Sequence, residues 1–494
     1  MSFFSTRGGS AVTASQAILK GLADDGGLYV PAMFPVISPE KTAAMINLPY
    51  ARRAEQILKL YLEDFSLPEI RKAVDAAYGG DRFDDPAVAP LKQLDDSTWI
   101  LELFHGPTLA FKDMALQLLP HLTTLSARKN GENREIAILV ATSGDTGKAA
   151  LEGFRDVPGT SCTVFYPLDG VSDVQRLQMV TTGGNNTHVI AVKGNFDDAQ
   201  SGVKELFSST EFAEEMTSMG KVLSSANSIN FGRLVPQIVY YFSAYIDLMA
   251  QGEVAYGDPV NFCVPTGNFG NILAAYYAKK MGLPVDKLIC ASNENKVLFD
   301  FFKNGVYDRK REFILTSSPS MDILISSNLE RLIYHISGND AKATKKFMEQ
   351  LSESGEYSIT DEMKKNLEDF RGFYASESDT AGKIHNLYED TGYIIDTHTA
   401  VAGSAYDQYC KASGDDKVTV IASTASPFKF AKSVMTAIDE KYKDADDFEL
   451  IDELAAKGNL EIPDAINDIR NADIKHKTNC SKDEMLSVVR EFLN

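Results

Sequence analysis

Lys112 stands near the end of the stretch FHGPTLAFKD, residues 104–113. The Gly106-Pro107 pair marks a turn, and Thr108, Ala110 and residues 114–119 read as the entry and apolar face of a helix, which puts Lys112 at a helix start. Leu109, Phe111 and Met114 flank it. Their apolar bulk desolvates the amine, favouring its neutral form and hence attack on a carbonyl, the chemistry of a Schiff base. A solitary lysine is more commonly a stem laid along the core edge with its head in water. The neighbouring motifs therefore decide the reading.

Four further stretches carry chemistry. TSGDTG at residues 142–147 follows an apolar run and precedes a helical one. Its small residues let backbone amides approach an anion, so Ser143, Gly144, Asp145 and Thr146 are candidate substrate contacts. Lys148 does not complete the GxxxxGK[ST] register, which weakens a nucleoside-triphosphate reading. TGNFGN at residues 266–271 has the same strand-before, helix-after setting. Gly267 and Gly270 free the backbone, Asn268 and Asn271 tolerate unusual dihedrals, and with Phe269 they form a phosphate cup. STAS at residues 423–426 offers the Thr424 hydroxyl to a buried heterocycle nitrogen, although Ser and Thr there are usually helix caps. NSINFGR at residues 227–233 ends in Arg233, whose planar fork matches a phosphate, with Asn227 and Ser228 beside it. A Schiff-base lysine, an anion loop, a phosphate cup and a hydroxyl for a ring nitrogen are together what pyridoxal phosphate requires.

The elements that must position these groups are legible as rhythm. Apolar, β-branched runs closed by Gly, Asn, Ser or Asp recur in residues 136–144, 162–170, 187–195, 221–230, 260–271, 287–295 and 418–427, each followed by helical spacing. Strands alternating with helices imply βαβ units and a parallel sheet buried on both faces, with ligands at the carboxyl ends of the strands. Residues 1–95 read as a helix-rich lead-in, with periodic apolar positions at 51–61 and 70–78 and a TRGG loop at 6–9. Residues 96–494 read as the catalytic core, containing a smaller α/β subdomain at about 130–230 and a helical insertion at about 328–390 that includes DEMKKNLEDFRGFY. The acidic run DADDFELIDE after Asp439 reads as a solvated face.

The chain has 494 residues, 44% apolar and 24% charged, the composition of an ordinary folded protein of two or three domains. Its net charge of -20 argues against nucleic acid or an anionic membrane as partner. The start lacks the basic and apolar regions of a leader, and no apolar run spans a bilayer, so the expected location is cytoplasmic. Five scattered cysteines without CxxC spacing read as free thiols, and no metal-ligand spacing occurs among the seven histidines.

The same blocks resemble the threonine synthases of the bacterial and fungal type, fold type II pyridoxal-phosphate enzymes. The resemblance runs from STRG at Ser5 and GLADDGGLYVP at Gly21 through FHGPTLAFKD, ATSGDTG, GNFDDAQ at Gly194, NSINFGR and VPTGNFGN. It continues in SPSMDILISSNLER at Ser318, DTHTAVA at Asp396 and IASTASPFKF. It implies an α/β, tryptophan synthase β-like fold with two parallel-sheet subdomains. It further implies that Lys112 carries pyridoxal 5'-phosphate, that Gly267, Asn268, Phe269, Gly270 and Asn271 hold its phosphate, and that Thr424 meets its ring nitrogen. The implied reaction converts O-phospho-L-homoserine and water to L-threonine and phosphate, the last step of threonine biosynthesis, in a monomer. Ser426 departs from the His or Asn that the family often carries there. The rivals are another fold type II lyase, such as a serine or threonine dehydratase, and a non-catalytic nucleotide-binding protein.

Overall fold

Each of the seven apolar runs forms a strand, and together they build two parallel sheets. The structure, a computed structural model, describes residues 1–142, 144–168 and 171–493, the side chain of Asp197 apart. In the larger sheet the strands lie in the order Phe370–Tyr374, Val285–Ser292, Val260–Pro265, Thr419–Ser423, Thr98–Glu102, Leu91–Gln93. All pair in parallel except the last, an antiparallel edge. The smaller sheet runs Thr478–Ser481, Thr187–Lys193, Thr160–Pro167, Glu135–Ala141, Lys221–Ser224 and is wholly parallel. Central strands such as Val260–Pro265 and Thr160–Pro167 are buried at every residue, as helices on both faces require. One connection between the sheets is the helix Phe231–Gln251, buried over most of its circumference and packed on the helix Gly270–Lys280.

Several elements differ from the sequence expectation. Residues 1–95 carry the four helices Ala14–Lys20, Pro39–Ala43, Tyr50–Leu58 and Leu67–Tyr78, but they open on a three-stranded antiparallel sheet, Phe3–Ser5, Gly8–Val12 and Tyr29–Pro31. The expected TRGG loop is its hairpin: Thr6 and Arg7 turn, and Gly8 already pairs with Ser5. The stretch expected as a helical insertion contains a strand of the larger sheet, Phe370–Tyr374, and a two-stranded ribbon joins Val306–Asp308 to Glu356–Ser358. The spacing of Phe370, Phe373 and Tyr374 mimics a helix, yet the segment is the edge strand of the larger sheet, with Phe370 stacked on Phe302 and Phe373 against Tyr409. The acidic tail behaves as read, with Leu450, Ile451 and Leu454 buried beneath the acids of helix Asp447–Gly458. Beyond it, Thr478–Ser481 and helix Met485–Leu493 return to complete the smaller sheet and its core. Among the described residues, no helix is long and apolar enough to cross a membrane.

Candidate active site

The carboxyl edge of the larger sheet brings Lys112 and Thr424 together through the main chain. The Phe111 amide donates to the Thr424 carbonyl at 2.8 Å and the Ser426 amide to Leu109 at 3.0 Å, with Ala110 bridging Ala425. Leu109 adopts φ +57°, a left-handed conformation held by this pairing and by its amide's bond to the Gly106 carbonyl. Lys112 then caps a single turn, Asp113–Leu116, rather than the longer helix expected. Pro120 has no amide to offer Leu116, so the next helix begins afresh at Leu119–Lys129. The motif's glycine and aspartate act as one device. Asp113 accepts from the Thr108 amide and hydroxyl, both at 2.8 Å, and a Cβ on Gly106 would stand 2.6 Å from that side chain.

Lys112 is 8% exposed, and its amine donates to Asp145 Oδ2 at 3.2 Å and to Ser320 Oγ at 3.1 Å. Burial lowers its pKa; Asp145 opposes this, while Lys429 and Arg233 push it further down. Asp145 opens the helix Asp145–Phe154 and meets four groups: Lys112, Ser320 Oγ at 3.1 Å, Gln175 Nε2 at 3.0 Å and Lys429 Nζ at 2.8 Å. Burial alone would raise its pKa, but the charges of Lys429 and Lys112 hold it well below the usual carboxylate range. Ser320 is itself fixed, because its amide donates to His398 Nε2 at 3.2 Å while His398 Nδ1 donates to Asp396 at 2.7 Å. Asp145, expected at the substrate, is here the counter-ion of two lysines.

Elsewhere in that loop, the Thr142 hydroxyl accepts from the Gly144 and Gly147 amides, both at 3.0 Å, and Gly144 takes φ +141° where a Cβ would strike Gln175. Thr146 lies half-buried in the first helical turn; Ser143 lies outside the described residues. Lys148 pairs with Glu152 and Thr182 inside the fold, which removes the remaining ground for a triphosphate lysine.

The loop 266–271 has the form of an anion cup. Phe269 takes φ +62° and sets Gly270 and Asn271 as the first residues of helix Gly270–Lys280. Among the described residues, the amides of Gly267, Asn268 and Phe269 have no acceptor in the chain. Asn271 Oδ1 accepts from the Tyr240 and Tyr241 hydroxyls at 2.6 and 2.5 Å, while its buried Nδ2 has no partner. Orphaned donors at a helix N-terminus fit the phosphate of pyridoxal phosphate. The loop's other side is tied down: Asn328 holds the Asn268 carbonyl and Ser326 the Gly267 carbonyl, and a Cβ on Gly267 would lie 2.8 Å from the Ser320 carbonyl. The cup and the Lys112 amine thus meet across Ser320.

Arg233 lies in the first turn of helix Phe231–Gln251 and is 3% exposed. Its Nη1 donates to the Ala226 carbonyl at 2.6 Å, and its buried Nε has no acceptor. Burial draws its pKa down to about 10. Ser228 accepts from Asn328 at 3.3 Å, and half-buried Asn227 holds the Asn230 amide through its carbonyl. Asn230, by contrast, is a helix cap bonded to Gly232 and Ile18. Thr424 is 6% exposed at the end of strand Thr419–Ser423, and Ser426 caps the turn Pro427–Phe430. Sequence reasoning missed Ser320, Gln175, His398, Asp396 and Lys429 as site residues. SPSMD, DTHTAVA and SPFKF were visible as blocks, but nothing local tied them to Lys112.

This edge, with a buried lysine facing an orphaned phosphate cup, is the site of a fold type II pyridoxal-phosphate enzyme. Residues 86–424 match the family described as Pyridoxal-phosphate dependent enzyme. Residues 2–78 match Threonine synthase N terminus, and residues 399–479 match Threonine synthase, C-terminal. The chain is 40% identical over 440 residues to Threonine synthase of Pseudomonas aeruginosa, covering 88% of this chain and 90% of that protein. The crystal structure of PLP bound Threonine synthase from Brucella melitensis superposes with a TM-score of 0.88 at 35% identity, over 100% of this chain and 98% of that one. The chain belongs to the threonine synthase family. It is also 42% identical over 442 residues to Threonine synthase-like 1 of Macaca fascicularis, matching 87% of this chain but spanning only 58% of the length of that relative.

Proposed function

We propose that this protein converts O-phospho-L-homoserine and water into L-threonine and phosphate, with Lys112 as the lysine that carries the cofactor. The observation that carries the reading is the buried Lys112 amine, set by Asp145 and Ser320 beside the cup at Gly267, Asn268, Phe269, Gly270 and Asn271. Pyridoxal phosphate, when bound, supplies the electron sink that makes a proton at the substrate's Cα removable. The cup amides and Asn271 Nδ2 would hold the cofactor phosphate, and the Thr424 hydroxyl would meet the ring nitrogen as a neutral partner. With its amine free, Lys112 would take the Cα proton of the substrate and move protons at Cβ and Cγ as phosphate leaves and water adds at Cβ. Arg233, with Ser228 and Asn227, grips the substrate phosphate. An arginine buried without a carboxylate partner among the described residues supports that role. The neighbouring loop, through Gly144, Asp145 and Thr146, is assigned to the substrate's carboxylate.

The protein works in this reading as a cytoplasmic monomer in threonine biosynthesis. Residues 1–95 form its N-terminal region and 96–494 its catalytic core. The smaller sheet at about 130–230 draws its last strand from the C-terminal tail. The test is phosphate release from O-phospho-L-homoserine by the pure protein, with borohydride reduction and peptide mapping. Phosphate release and a label on Lys112 are expected. Ammonia release from threonine without phosphate release from the phosphorylated substrate would make the protein a dehydratase, and a label on another lysine would displace Lys112.

A further inference from the structure

Asp145 lies between two buried lysines. We propose that Lys429 is a positioning residue that competes with Lys112 for this one carboxylate, and so leaves the Lys112 amine able to react without its proton. The inference rests on the assignment of Lys112 above.

The geometry favours Lys429 in that competition. Its side chain is wholly buried, its amine lies 2.8 Å from Asp145 Oδ1, and it donates to the Thr108 carbonyl at 2.7 Å. Thr108 is pinned in turn by Asp113, so Lys429 has a rigid acceptor on each side. Lys112 keeps longer contacts, 3.2 Å to Asp145 and 3.1 Å to Ser320. Two ammonium groups, one carboxylate and the nearby Arg233 guanidinium leave excess positive charge in a dry site, and loss of one proton relieves it. Of the two lysines, the more loosely held is the one that gives it up. The remaining groups around the pair do not change this balance. His398 faces Ser320 through Nε2 as an acceptor, Asp113 is occupied by Thr108, and Glu152 by Lys148.

The chemistry needs this arrangement twice. To join the cofactor, the Lys112 nitrogen uses its lone pair to form a bond to the aldehyde carbon, and the carbonyl oxygen leaves as water. An ammonium has no lone pair to use. Once Lys112 is consumed in that bond, Lys429 remains as the counter-ion of Asp145, and the carboxylate stays paired inside the fold.

The experiment follows cofactor joining to apoprotein by visible absorbance across a pH series, in wild type, Lys429→Met, Lys429→Arg and the double variant Lys429→Met with Asp145→Asn. Borohydride mapping of the wild type comes first; a label elsewhere than Lys112 removes the basis of both readings. With Lys112 labelled, Lys429→Met should need a pH higher by about one unit, and at neutral pH should join cofactor about tenfold more slowly. Lys429→Arg keeps the charge and should keep the wild-type midpoint. The double variant, which removes both charges, should return toward it. If the methionine variant is unstable, Lys429→Gln retains a donor to the Thr108 carbonyl and serves the same measurement. A rate lowered equally at every pH, with an unchanged midpoint, would mean that Lys429 only packs the site and would overturn the proposal.

Discussion

Replacing Arg233 by methionine separates its cost to the fold from its use to the reaction. The side chain is 3% exposed, its Nε has no acceptor among the described residues, and burial draws its pKa from 12.5 to about 10. That depression corresponds to roughly 3 kcal/mol of unfavourable charge burial. Methionine keeps an unbranched stem and removes the charge. It forfeits the bond to the Ala226 carbonyl, a loss of about 1–3 kcal/mol where the carbonyl is left buried. The lost bond is no larger than the relieved charge burial, so urea unfolding should give a free energy between that of wild type and about 2 kcal/mol above it. Activity should respond very differently. A guanidinium about 4 Å from a phosphate charge, at an effective dielectric of about 20, contributes about 4 kcal/mol. Even with partial replacement by water, kcat/KM for phosphate release from O-phospho-L-homoserine should fall by about 10²-fold to 10³-fold. Cofactor content should be unchanged. Arg233→Lys should recover part of the loss, since a point charge cannot reproduce the fork. The reasoning fails if kcat/KM drops by less than about threefold, or if missing cofactor accounts for the drop. A destabilisation matching the activity loss would make Arg233 a structural residue.

Two other perturbations probe the turn that holds Lys112. Gly106→Ala places a Cβ 2.6 Å from the Asp113 side chain and should cost about 1–3 kcal/mol in unfolding free energy together with a loss of kcat. Gly382→Ala, in a helix with open space around it, is the control and should be neutral or slightly stabilising, and equal behaviour of the two variants would refute the clash. If Thr424 meets the ring nitrogen as proposed, Thr424→Asp should protonate the pyridine, shift the visible spectrum of the holoenzyme and lower turnover by about tenfold or more. An unchanged spectrum with unchanged turnover would reduce Thr424 to the end of its strand.

Where pattern and structure part, the reason is physical range. Runs such as IAILVA and VNFCVP are legible because a strand buried on both faces must be apolar throughout, whatever its neighbours are. Phe370–Tyr374 was not legible, because Arg371 and Gly372 interrupt its apolar run: Arg371 is exposed, and Gly372 lets Phe299 and Phe302 approach closely. Thr98–Glu102 is fully buried, but its five residues follow a polar turn and offer too short a pattern to separate strand from helix.

The site divides in the same way. A turn before a lysine, and glycines and asparagines between a strand and a helix, are local demands on backbone geometry. Lys112, the cup at residues 266–271 and the strand-end position of Thr424 could therefore be read from the chain alone. The charge state of Lys112 is not a local property. It depends on Asp145, 33 positions away, on Ser320, 208 positions away, and on Lys429, whose amine reaches the carbonyl of Thr108 across 321 positions. Parallel sheets bring strand ends together only after long crossovers, so which carboxylate meets which amine is settled by the packed fold. The sequence by itself determined which residues are able to do the chemistry. The tertiary structure decided how their charges are shared, because electrostatic energy depends on separation in space and on the exclusion of water.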